Sequence, residues 1–105
     1  MILRSFRGVI AHGRESEFYA LVRARVERFT AEFELVESHV ARRSAPDGEH
    51  FLVTTHWLDW DTLLAWSGDD IERPWGSDEV VALLASWEIE HFEEIDGHSL
   101  RAGTG

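Results

Sequence analysis

The run His50–Leu58, HFLVTTHWL, has no polar face. One parity holds Phe51, Val53, Thr55 and Trp57, and the other holds Leu52, Thr54, His56 and Leu58. A strand with one side in water alternates apolar with polar residues, so this one is built for cover on both sides. The run Ile2–Ala11 repeats the pattern, with Ile2, Phe6 and Ile10 opposing Leu3, Val9 and Ala11. Helices of the same chain can cover one face of such a sheet. A chain of 105 residues buries only roughly 65% of the surface its unfolded form exposes, so little is left to cover the other face. The sequence holds no internal repeat or low-complexity segment to supply it. Sheet-on-sheet packing against an identical subunit about a two-fold axis is therefore expected.

The remaining segments fall into place around those two strands. After the His12-Gly13 break, Glu15 and Glu17 suit the positive end of a helix dipole. Phe18, Leu21, Val22, Val26, Phe29 and Phe33 then recur at helical spacing, which predicts an amphipathic helix over 14–31. Strand-like runs at 34–43 and 50–58 flank Ala45-Pro46-Asp47-Gly48, a turn chemistry that makes them a hairpin. Asp59 is placed to cap a short helix carrying Trp60, Leu63 and Leu64, and Ser77 to cap another running through Ser86. A last strand is expected over 87–95. The order β-α-β-β-α(α)-β is the α+β, ferredoxin-like split βαβ arrangement, a four-stranded antiparallel sheet with helices on one face. One domain over residues 1–96 and a tail over 97–105 account for the chain.

Charge removes several classes of function. Asp and Glu number 20 against 10 basic residues, a formal net charge of −10. Such a field repels nucleic-acid phosphates and anionic membrane surfaces alike. No apolar run approaches the roughly 20 residues needed to span a bilayer. Arg4 and Arg7 interrupt the region where a signal peptide would be apolar, so a cytoplasmic location is expected. Without Cys there is no disulfide, thiolate nucleophile or Cys-ligated metal.

His12-Gly13-Arg14-Glu15, the strand end Val53-Thr54-Thr55-His56-Trp57, the helix after Asp59 and the closing Glu90-His91-Phe92-Glu93 together resemble the antibiotic-biosynthesis-monooxygenase family. The resemblance covers residues 1–96. It implies a dimeric α/β barrel with strand order 2-3-1-4 and a pocket between sheet and helices in each subunit. Some members of that family oxygenate polycyclic, anthrone-like aromatics with O2 and no metal or flavin, the substrate carbanion giving an electron to oxygen. Others bind and degrade haem, using an Asn on the first strand, a Trp nine residues beyond the strand-three Trp and a His about ten further on. Trp66 stands at the position of that Trp. Phe6 stands where the Asn would be, the chain has no Asn at all, and Trp75-Gly76 occupy the region of the His. Haem degradation is thus disfavoured, and no cofactor is expected.

Five Trp residues are the most function-laden feature, because indoles offer flat walls and an N–H to an aromatic ligand. Trp57 and Phe6 are candidate walls, Trp66 the candidate steering residue, and Trp75, in an irregular acidic loop, a candidate lid or subunit contact. His56 and His91 are candidate bases for an acidic phenolic or anthrone proton, since imidazole titrates near neutrality. His39, His56 and His91 fall on three strands of which the implied order keeps His91 apart, and no HxH or HxxxH spacing exists, so no metal site is expected. Arg4 and Arg7 lie on opposite faces of the first strand, and at least one should meet a carboxylate such as Glu37, Glu88 or Glu90. Two readings follow. One is a cofactor-independent monooxygenase acting on a polycyclic aromatic; the other is a non-catalytic dimeric protein that binds a small aromatic ligand or serves structurally.

Overall fold

The computed structural model describes residues 1–33, 37–67 and 78–95, the side chains of residues 29, 30, 32 and 33 excepted. Strands β1 (Ile2–Ile10) and β3 (Gly48–Trp57) are rich in apolar and β-branched residues, β2 (Glu37–Ala45) is largely polar, and β4 (Leu84–Glu93) is rich in Glu. All neighbours pair antiparallel in the order β2-β3-β1-β4, the order implied by the resemblance. The hairpin turn closes at Pro46-Asp47, and Gly48 supplies φ +127°, a conformation that disfavours any side chain.

Helix α1 (Glu15–Phe33) follows Gly13, whose φ of +82° reverses the chain. Phe18 and Val22 of its apolar stripe are fully buried against Phe6, Ile10, Phe51 and Val53. Helix α2 (Trp60–Ser67) is capped by Asp59, whose Oδ1 accepts from the Thr62 backbone N–H and hydroxyl at 2.8 Å each. Those bonds hold the Asp59 carboxyl below its usual range. Helix α3 is shorter than expected, Asp78–Val81, because β4 begins at Leu84 rather than at residue 87. Leu84 pairs with Ile10 across an irregularity between Val9 and Ile10. There Gly8 lets the two strands close up, since a Cβ at Gly8 would lie 2.1 Å from the Ser86 carbonyl oxygen. Ser77, Trp75 and the segment 97–105 lie outside the described residues.

Alternation along β1 divides the sheet. Ile2, Arg4, Phe6 and Ile10 are buried on the helix side, with Phe51, Val53, Thr55 and Trp57 of β3 beside them. Leu3, Ser5, Arg7 and Val9 point the other way, across from Leu52, Thr54 and His56 of β3 and Glu88, Glu90 and Phe92 of β4. Leu52 and Phe92 remain 38% and 49% exposed on that open face. Together with Arg7 and Thr54 they line a shallow hollow of about 750 Å³. Arg7 meets Glu88 and Glu90 there, the carboxylate pairing expected of it, and both partners raise its pKa. β4 is an edge strand, and its carboxylates sit where charge discourages edge-to-edge association.

Candidate functional site

The residues on the helix side of β1, β3 and β4 converge under α2. Trp57 ends β3 with no exposed surface, its Nε1 donating to Thr55 Oγ1 at 2.9 Å. Trp66, from the last turn of α2, stacks on it with ring centroids 5.0 Å apart and planes inclined by 25°. The helical offset of Trp66 from Leu63 is what lets it reach past the buried Leu63 to both apolar clusters. Arg4 lies beneath: its guanidinium carbon is 4.9 Å from the centre of the Trp66 ring, and the residue is 1% exposed. A cation over an indole gains about 0.5–2 kcal/mol, and more of that range when water is excluded.

His91 on β4 faces Arg4 directly, as the strand register requires. Arg4 Nη1 donates to His91 Nε2 at 2.7 Å. Because arginine only donates, this assigns His91 a neutral ring with its proton on Nδ1. Burial lowers the His91 pKa, and the Arg4 charge lowers it further. Trp60 closes the near side, 5.9 Å from the His91 ring, with its Nε1 donating to Glu93 Oε1 at 3.0 Å.

The candidates named from the sequence are thus distributed unequally. Trp57, Trp66 and His91 are brought together around Arg4. Phe6 adjoins them but is packed edge-on against Phe51, centroids 4.9 Å apart, and is 1% exposed. His56 sits on the opposite face of the sheet, paired with Leu3 across the strands and bound through Nδ1 to Glu37 Oε2 at 3.1 Å. His39 Nε2 holds the other oxygen of Glu37 at 2.8 Å, and these bonds, His39's foremost, lower the Glu37 pKa. Alternation explains the separation: His56 and Trp57 are adjacent in sequence and so face opposite ways. Trp75 lies outside the described residues. Among the described residues no three His, Asp or Glu side chains are grouped to hold a metal ion. Trp60, expected on the short helix after Asp59, and Arg4, which donates to His91, also belong to this cluster. The signal for Arg4 was its shared parity with Ile2, Phe6 and Ile10, which sends a charged group into the core.

No family model and no curated protein matches the chain. Solved structures do. A protein from Deinococcus radiodurans, provisionally described as an antibiotic-biosynthesis monooxygenase, superposes with a TM-score of 0.73 at 15% identity, covering 94% of this chain and 97% of that one. The fold is that of the antibiotic-biosynthesis monooxygenases. An uncharacterised NIPSNAP-domain protein from Burkholderia xenovorans has a TM-score of 0.56 at 13% identity, covering 90% and 94% of the two chains. A single-substitution variant of MhuD carrying two manganese protoporphyrin IX molecules per active site has a TM-score of 0.55 at 14% identity, covering 94% and 99%.

Among the described residues the one histidine shown against the Trp66 site does not fit a porphyrin. An iron porphyrin against Trp66 needs an accessible axial ligand. The His91 Nε2 lone pair is taken by a guanidinium, and His39 and His56 lie across the sheet, tied to Glu37. Among the described residues no helix is long and apolar enough to cross a membrane.

Proposed function

We propose that the chain is a cofactor-independent monooxygenase of the antibiotic-biosynthesis type, acting on a polycyclic aromatic substrate as a cytoplasmic homodimer. The observation that carries this reading is the buried Arg4 guanidinium, held by His91 Nε2 at 2.7 Å against the ring of Trp66. The net reaction turns a benzylic CH2 and O2 into a ring carbonyl and water. Its first requirement is loss of a proton to give an enolate that can pass an electron to O2. A fixed guanidinium in an apolar setting stabilises such an oxyanion far more than water-exposed charge would. His91 is neutral and so able to take the proton, provided Arg4 shifts its hydrogen bond from Nε2 to the enolate oxygen. The half-exposed rings of Trp60, Trp66 and His91 are the surface the substrate meets. Trp57 and Phe6 back that surface, and Trp75 is retained as a lid residue.

The homodimer reading draws on the open sheet face. Leu3, Leu52 and Phe92 there are flanked by the Arg7 ion pairs, a hydrophobic centre with a charged margin. A second reading has its own support: Phe6, Trp57 and Arg4 are at most 1% exposed, so the floor of the site is filled. That favours a non-catalytic protein binding aromatics at the Trp60–Trp66 surface. Oxygen uptake by the purified protein with a panel of anthrones, no cofactor added, separates the two. Monooxygenase activity requires uptake above the spontaneous rate and its loss in Trp66→Phe and Arg4→Met. Saturable quenching of Trp fluorescence without uptake by any panel member overturns it in favour of the binding protein.

A further inference from the structure

A second cavity lies on the other flank of α1, away from the Trp66 site. It measures about 490 Å³, and Tyr19, Arg23, Val26 and Glu27 of α1 face Val40 and Arg42 of β2 across it. The helical residues follow an i, i+4, i+7, i+8 spacing, which makes one continuous stripe beside the Phe18–Val22 core stripe. The volume falls in the range of small-molecule sites.

Its lining carries two arginines. Arg7, Arg14 and Arg25 each hold a carboxylate. Among the described residues Arg23 and Arg42 form no ion pair, although the chain carries twice as many acidic as basic residues. They stand on opposite walls of one cavity, one on the helix and one on the edge strand. The hydroxyl oxygen of Tyr19 is shut from solvent, as is Glu49 Oε2. Burial first, and then hydrogen bonding to the Glu49 carboxylate, raise the Tyr19 pKa, so the hydroxyl keeps its proton and directs it to Glu49. Two guanidinium-bearing side chains therefore flank an apolar patch of Val26, Val40 and Ala41, and Glu27 is the one carboxylate in the lining.

We propose that this α1–β2 cavity binds a small organic monocarboxylate with an aromatic or branched apolar body. The carboxylate bridges the Arg23 and Arg42 guanidinium groups, and the body rests on Val26 and Val40. Charge-assisted bonds of this kind are the strong ones, and a fork-shaped guanidinium matches carboxylate geometry. The net charge of −10 slows approach of an anion from a distance. Within the cavity the two nearby cations dominate, because charges beyond about 8–10 Å are screened at ordinary salt. The site is independent of the reaction proposed at Trp66.

Phenylacetate, phenylacetamide and phenethylamine, which share one apolar body, form the test. Chemical-shift perturbation of Val26 and Val40 methyl groups reads the site directly. Phenylacetate is expected to bind at this site, to weaken with added salt, and to lose about tenfold in affinity in Arg42→Gln and in Arg23→Gln. Trp66→Phe should leave its binding unchanged. Equal binding of phenylacetamide, tighter binding of phenethylamine, indifference to both arginine substitutions, or no shift of these methyl groups by millimolar phenylacetate would each overturn the proposal.

Discussion

Thr55→Val tests whether the Trp57–Trp66 pair is held in place by a single buried hydrogen bond. Thr55 is 1% exposed and Trp57 fully buried, so the 2.9 Å bond from Trp57 Nε1 to Thr55 Oγ1 is made away from water. Valine keeps the shape and β-branching of threonine, so strand propensity and packing change little while the acceptor disappears. Stranding a buried indole N–H costs about 1–3 kcal/mol. At roughly 4–8 °C per kcal/mol for a domain near this size, Tm should fall by about 5–20 °C. A double-mutant cycle with Trp57→Phe isolates the bond, because phenylalanine has no N–H to strand. Thr55→Val in that background should cost less than about 0.5 kcal/mol, leaving a coupling of about 1 kcal/mol or more. Near-UV circular dichroism of the stacked indoles should weaken in Thr55→Val relative to the parent. Equal cost of Thr55→Val in both backgrounds, or a cost within about 0.5 kcal/mol in the parent, would refute the argument that this bond fixes Trp57.

Three further outcomes are expected. His91 should titrate below its ordinary value of 6.5; the unfolded chain then binds more protons between the native and ordinary values, so this contribution to stability is full above about pH 6.5 and lost as pH falls through the native value. Arg4→Met should move the His91 titration upward by NMR, and a parent titration at or above 6.5 would contradict the burial argument. Gly8→Ala should cost about 3 kcal/mol by chemical denaturation, because the new methyl meets the backbone at Ser86 and Trp87 within 2.7 Å, whereas an unperturbed midpoint would mean β1 and β4 can part freely. Leu52→Glu on the open face should yield monomers by sedimentation without unfolding the chain; an undiminished dimer would place the subunit contact elsewhere.

Strand parity made most of the fold legible, since Ile2, Phe6 and Ile10 and the Phe51–Trp57 series do line the buried side. Cap and turn chemistry fixed boundaries where it was local, as at Asp59 and Gly48. It missed the early start of β4, because Leu84-Ala85-Ser86 carries no strand signal of its own and joins the sheet only where Gly8 permits close approach. The site was half legible for a related reason. Trp57 and Trp66 announce themselves by size and spacing. The partner of a buried charge depends on which residue the neighbouring strand places opposite it. The register Arg4↔His91 is set by long-range pairing, and nothing local to either residue encodes it.

That register also ties the two faces of the sheet together. On β1, Arg4 serves the tryptophan site, and Arg7, three residues on, serves the open face through Glu88 and Glu90. A slip of β4 by one residue against β1 would carry His91 away from Arg4 and turn Glu88 and Glu90 toward the core at the same stroke. A buried guanidinium without its acceptor and buried carboxylates without their cation are each costly, so both faces oppose the same slip. The close approach at Gly8 lies just beyond Arg7, where it holds the pairing of β1 and β4 for both. Substitutions that loosen this crossing should therefore disturb the Trp66 environment and the open face in parallel, whereas changes confined to Leu3 or Leu52 should leave the Arg4–His91 bond intact.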